Sequence, residues 1–284
     1  MSVFNRHHIA LNRLKSLETV EKADFLFTHA GRVLCDRVSD ITRDFDTGIL
    51  MGARYSETFI TALSKIKNLY TTDLVSNKET HFISDEEVLP LKHSSLDIIL
   101  NLMTLHTIND LPGALIQIRQ ALKPDGVFLG AMLGGETLHE IRHLLQQAEL
   151  ETLGGASPRL FPFADKPQMG GLLQRAGFAL PVVDSDILTV SYKDSFSLFQ
   201  DLKNMGETNA LAERYKSLTP KSFFIKVEEL IAPLKDKDGR FEVSFEIIYL
   251  IGWAPHASQQ QPLRPGSAKK SLADALETSE KEIS

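Results

Sequence analysis

Leu96-Asp97-Ile98-Ile99-Leu100-Asn101-Leu102-Met103 decides the architecture. It is apolar almost throughout, as expected of a central parallel strand covered on both faces. A helical pattern follows at Leu111–Leu122 and is stopped by Lys123-Pro124-Asp125-Gly126. Pro124 cannot continue a helix, and Gly126 supplies a permissive turn. A further apolar strand, Gly126–Leu133, comes next. Upstream the same alternation gives strands at Thr47–Met51, Leu69–Thr72 and His81–Ser84, with a helix at Ser56–Lys65. Short apolar runs alternating with amphipathic stretches are the pattern of βαβ units on a parallel sheet.

Downstream, Gly134-Gly135 opens a helix at Glu136–Glu149, and the loop Gly154–Pro167 leads to a short helix ending at Ala176-Gly177. Strands Val182–Tyr192 and Phe241–Gly252 close the pattern, separated by helices around Ser195–Met205 and Ser222–Leu234. Residues 1–43 read as a mainly helical segment and residues 44–255 as one α/β domain. Residues 256–284, with Gln259-Gln260-Gln261 and a charged end, read as a polar tail that buries too little apolar surface to order itself.

The composition, 43% hydrophobic and 24% charged, is that of an ordinary soluble domain. A net charge of −6 argues against a nucleic-acid partner. The one cysteine, Cys35, shares an apolar helical face with Val33 and Leu34 and suits a reducing compartment. The start is broken by Asn5, Arg6, His7, His8, Asn12 and Arg13, so no leader is expected, nor is any membrane span. These features together predict a cytoplasmic protein.

Five strands with crossover helices, then an antiparallel pair, is the element order of the Rossmann-like class I fold of S-adenosylmethionine (SAM) methyltransferases. The expectation is a seven-stranded, mostly parallel sheet with an antiparallel last strand. Such a sheet binds ligands beyond the carboxyl ends of its strands, where the strand order reverses. After the first strand the chain reads Ile49-Leu50-Met51-Gly52-Ala53-Arg54-Tyr55-Ser56, and only Gly52 survives of an expected D-x-G-x-G-x-G. Leu50 stands where an acid would hold the methionine amino group, and Arg54 and Ser56 stand where glycines would be. An ordinary strand-to-helix turn fits these residues equally well.

After the second strand, Asp73 and Leu74 are placed to meet a ribose, although Asp73 could instead cap a helix. After the third come Asp85, Glu86 and Glu87, for an adenine amino group or for a solvated turn. After the fourth, Asn101 and His106 face the expected pocket. His106 is the candidate catalytic group because imidazole titrates near neutrality, and simple packing beside a helix start is the alternative. His139-Glu140-Ile141-Arg142-His143 fits a zinc motif. It lacks a third ligand and follows a strand of a parallel sheet, so no metal is assigned to it.

Several stretches resemble the methyltransferase-like arginine hydroxylases that assist assembly of mitochondrial respiratory complex I, and their bacterial relatives. They are Cys35–Val38, Ser84–Leu91, Leu105–Pro112, Leu122–Phe128, Gly130–Leu138, Arg175–Phe178 and Met205-Gly206-Glu207-Thr208-Asn209. The end matches too, at Ile248–Trp253, His256, Ser258, Gln259 and Pro265–Ala268. The resemblance implies action on an arginine of the iron–sulfur subunit of complex I, and a protein partner met by Glu136 and Glu207. It also implies SAM as cofactor, held around Gly52, Asp73, Leu74, Asp85, Glu86 and Asn101. The chain departs from the family at the first loop, and Thr107 replaces a common tryptophan. Two alternatives stand beside this reading. One is a small-molecule or carrier-protein O-methyltransferase, since the malonyl-carrier-protein enzymes share the fold, and the other is a non-catalytic assembly factor.

Overall fold

The computed structural model describes residues 2–54 and 64–260. Two helices, α1 (Arg6–Ser16) and α2 (Phe25–Asp40), lead into β1 (Phe45–Met51), β2 (Ile66–Asp73), β3 (Phe82–Ile83) and β4 (Leu96–Leu102). Then follow α3 (Leu111–Ala121), β5 (Leu122–Leu133), α4 (His139–Leu153), α5 (Lys166–Arg175) and β6 (Ala179–Tyr192). Helices α6 (Ser195–Met205) and α7 (Lys221–Ile231) precede the final strand, β7 (Phe241–Trp253). The seven strands lie in the order β3-β2-β1-β4-β5-β7-β6. Every pair from β3 to β5 is parallel, and β7 runs antiparallel to both β5 and β6. The order reverses between β1 and β4, so the two strands that flank the expected ligand crevice sit side by side.

The period of two along the central strands builds two cores. Leu50, Ile98, Leu100 and Leu129 point to one face, where Leu26, Phe27, Ala30 and Leu34 of α2 cover them. Ile49, Met51, Ile99 and Phe128 point to the other, against Leu115 and Ile118 of α3 and Met169 and Leu173 of α5. Cys35 is buried in the first cluster. The continuous apolar reading of β4 follows from this double cover.

Several details differ from the sequence reading. Helix α3 ends at Ala121 because Leu122 already pairs with Leu96. The left-handed residue of the next turn is Asp125, at φ 64°, not Gly126. Helix α4 begins at His139 because Leu138 is left-handed (φ 55°) and donates its N–H to the Ser244 carbonyl, tying that segment to β7. Strands β6 and β7 pair along their whole length, with α6 and α7 between them in the chain as read from the sequence. The helix expected at Ser56–Lys65 falls largely on residues 55–63, which lie outside the described residues, as does 261–284 of the polar tail. Among the described residues no helix is long and apolar enough to cross a membrane.

Candidate functional site

The chain leaves β1 at Gly52, whose φ is 88° and whose N–H donates to the Thr72 carbonyl at 2.9 Å. An added Cβ would run into the Leu102 carbonyl oxygen and meet Thr104 Cγ2 at 2.6 Å. Gly52 is therefore fixed by the close approach of β1 and β4. Gly52→Ala should lower stability by about 1–3 kcal/mol from the unfavourable φ alone, with the backbone clash adding to it. A urea midpoint equal to that of the wild type would count against this account.

Immediately beyond, Arg54 turns back into the crevice instead of out of it, and its side chain is 1% exposed. Its Nη1 donates to the Met205 carbonyl at 3.0 Å and its Nη2 to the Met103 carbonyl at 3.3 Å. Glu207 Oε1 lies 3.5 Å from Nη2, Asp73 Oδ2 lies 3.9 Å from Nε, and the Phe27 ring stacks 5.1 Å from the guanidinium carbon. Met103 has φ 56°, a strained value for a residue with a side chain, and offers its carbonyl to this cation. Burial and the like charge of Arg13 lower the Arg54 pKa, against the pull of Glu207 and Asp73.

Helix α1 closes the same crevice. Arg13 Nη1 donates to Asp73 Oδ1 at 3.0 Å and to Glu86 Oε1 at 2.6 Å, with all three side chains buried. Arg6 reaches Asp85 Oδ1 at 2.6 Å, the other oxygen of Glu86, and the Thr107 carbonyl at 3.2 Å. Burial alone would raise the Glu86 carboxyl, but Arg13 and Arg6 outweigh it and hold the group at about 2. Burial likewise disfavours the charge of Arg13, yet Glu86 and Asp73 raise its pKa above the ordinary value. The acids read as ribose and adenine partners are thus already engaged by the chain's own guanidinium groups.

The stretch Met205–Asn209 supplies the opposite wall. Gly206 ends α6 at φ 79°, and a Cβ there would meet Ser16 Oγ at 2.7 Å and Arg54 Nη1 at 3.0 Å. Glu207 Oε2 pairs with His106 Nε2 at 3.0 Å, so one carboxylate joins His106 to Arg54. Burial works against its charge, but His106 first and Arg54 next bring the Glu207 carboxyl down to about 2. Thr208 accepts from Asn12 of α1 at 2.7 Å, and Asn209 donates to the Pro158 carbonyl at 2.8 Å. Beside Glu207 lies a cavity of about 220 Å³ walled by Leu133, Leu138, Phe161, Phe163, Phe199 and Phe224. Arg159, also on its wall, is held by Glu149 and stacks on Phe223.

The structure therefore brings together Asp73, Glu86, His106 and Glu207 from the expected set, with Asp85 at the rim on Arg6. Leu74 turns instead to the apolar cluster of Phe4, Ile9 and Phe161, and its N–H donates to Asp73 Oδ1. Asn101 is buried and closes the turn after β4 by donating to Thr104 Oγ1 at 2.6 Å. Leu50 lies in the core, level with Leu100. Ser56 is outside the described residues. Glu136 is not on the cavity wall: Thr137 and Leu138 are, while its side chain is 61% exposed beside His139. Glu87 is no solvated acid, since it accepts from Asn109 N at 2.7 Å. His139 is half exposed and His143 exposed, and among the described residues no three His, Cys, Asp or Glu converge on a metal site. Arg6 and Arg13 were missed. Their signal was spacing: two helical turns apart, they share one face of α1.

A family model described as "Methyltransferase domain" matches residues 22–181. The zebrafish (Danio rerio) protein named "Arginine-hydroxylase NDUFAF5, mitochondrial" is 39% identical over 96% of this chain and 89% of its own length. The human protein of the same name is 38% identical over 89% of this chain and 76% of its own. This chain belongs to the NDUFAF5 arginine-hydroxylase family. A malonyl-[acyl-carrier protein] O-methyltransferase of Xylella fastidiosa is a more distant relative, 32% identical over 83% of this chain and 78% of its own. Among solved structures, the YcgJ protein of Bacillus subtilis shares the fold, with a TM-score of 0.54 at 13% identity over 81% of this chain and 99% of that one. The NDUFAF5 relatives correct the cytoplasmic expectation. They are named mitochondrial, and they point to that compartment rather than to the cytoplasm. Neither a single buried cysteine nor a broken apolar run at the start distinguishes the two compartments, which is why composition misled here.

Proposed function

We propose that the chain acts on a protein partner, an arginine-bearing subunit of respiratory complex I, and receives the target side chain in the cavity beside Glu207 and His106. The observation carrying this reading is a buried carboxylate next to an aromatic-walled cavity, with an imidazole hydrogen-bonded to it. An arginine suits such a place, because its stem and planar head pack on aromatic rings while its fork pairs with a carboxylate. Kinship with the NDUFAF5 arginine hydroxylases supports the same choice.

As arranged here, the crevice does not fit SAM. Arg54 fills the space beyond Gly52, and Asp73 and Glu86 are taken by Arg13. The reading is therefore a protein-directed role without methyl transfer, and carrier-protein methylation is the weaker alternative. The test is capture of the iron–sulfur subunit of complex I by the purified chain, followed by mass spectrometry of its arginines. Glu207→Gln should weaken capture roughly ten- to a hundredfold, the equivalent of about 1.5–3 kcal/mol for a charged hydrogen bond. Glu136→Gln should leave it unchanged. Failure of the wild type to capture the subunit overturns the proposal, while capture with no added oxygen on any arginine assigns an assembly role.

A further inference from the structure

In this fold the crevice beyond β1 and β4 is where a diffusible ligand belongs. Here it is occupied by a side chain of the protein itself, and the occupant is not loosely placed. Carbonyl oxygens of Met103 and Met205 accept from two arms of the Arg54 guanidinium, and carboxylates of Asp73 and Glu207 lie at its edges. The ring of Phe27 covers one face. Acceptors around the rim and an aromatic surface on the face are what a planar, five-donor cation requires, and an ammonium group would use them poorly. The surroundings are shaped for this group as well. Gly206 has no Cβ where one would stand 3.0 Å from Nη1, and Met103 keeps a left-handed backbone that aims its carbonyl inward.

The charge balance points the same way. Asp73, Glu86 and Glu207 are buried together, and Arg13 and Arg54 are the buried cations among them. Among the described residues, without Arg54 the Glu207 carboxylate would keep His106 as its ionisable partner, and Asp73 would keep Arg13 as its cation. Asp73 Oδ2 and Arg54 Nε have no hydrogen-bond partner among the described residues, so that edge of the cradle has unused capacity.

We propose that the strand-end crevice is a guanidinium-binding site filled from within, Arg54 taking the place that a diffusible ligand takes elsewhere in this fold. The external ligand class that fits once Arg54 is removed is a small guanidinium cation. This assignment stands whether or not complex I is the partner, because it concerns the free chain.

The test is the melting temperature of the full chain at constant ionic strength with methylguanidinium, methylammonium or SAM. Arg54→Ala should melt below the wild type. Methylguanidinium at ten times its dissociation constant should raise that variant by about 3 °C, saturably, and leave the wild type unmoved. Methylammonium and SAM should move neither protein, and Arg54→Ala combined with Glu207→Gln should lose the methylguanidinium effect. If Arg54→Ala does not fold alone, refolding from urea becomes the readout, with far-UV ellipticity recovered only when methylguanidinium is present. Equal rescue by methylammonium, no rescue at all, or a rise in the wild-type melting temperature with SAM would each overturn the proposal.

Discussion

Arg13→Met is expected to lower the unfolding free energy by about 3–5 kcal/mol at neutral pH, the usual result of removing one partner from a buried ion pair. Arg13 is 2% exposed and bridges Asp73 and Glu86, whose side chains are 0% and 2% exposed. Methionine fills much of the same volume, so the loss reports charge rather than a cavity. A second signature separates this explanation from a packing defect. With its main partner gone, Glu86 would take up a proton more readily, so the variant should lose less stability than the wild type on mild acidification. Arg13→Met with Glu86→Gln should recover part of the loss, because the two positions touch and their effects cannot be additive. Urea denaturation of the wild type, Arg13→Met, Glu86→Gln and the double variant measures all of this. A loss below about 1 kcal/mol for Arg13→Met would show that the pair contributes nothing.

Acid should unfold the protein in a defined window. Glu86 and Glu207 are each held at about 2, below their ordinary 4.5. A carboxylate whose pKa is depressed in the folded state contributes stability that is fully present above the unfolded value. That contribution is lost as the pH falls through the folded value. Stability should thus be flat above about pH 5 and fall between about pH 4.5 and 2, by something on the order of 3 kcal/mol for each group. Glu207→Gln should remove the share of that fall that belongs to Glu207 and leave the rest. A midpoint that does not change between pH 5 and pH 3 would contradict the assignment of these charges.

The sheet was legible because its physics is local. The apolar run at Leu96–Met103 and the alternation of strands and helices on either side of it follow from residue types in sequence order. Asp73, Glu86 and His106 could be placed because a parallel sheet fixes where strand ends lie. Arg54 was legible as an obstruction, not as an occupant, since its partners Met205 and Glu207 lie 151 and 153 residues away. The arginines of α1 stayed hidden for the same reason: a cation in an N-terminal helix looks solvated until the acids that it neutralises are folded against it. Glu136 is the opposite case, an acid left at the surface. Gly134–Leu138 is a specific motif, but its specificity belongs to the join with β7. The Glu246 carboxylate accepts the Glu136 N–H at 3.0 Å, and a Cβ on Gly134 would strike that same carboxylate.

The closing of the crevice by residues so far apart sets a schedule for synthesis. Arg13, Arg54, Asp73 and Glu86 all emerge from the ribosome long before Glu207. At about 5–20 residues per second, the nascent chain carries these four charges for roughly 6 to 24 seconds before Glu207 arrives. During that interval β1 to β4 can pair, yet the crevice lacks one wall. The last third of the chain is therefore the step that commits the ionic centre, and a stalled or truncated product would expose it to water and to chaperones.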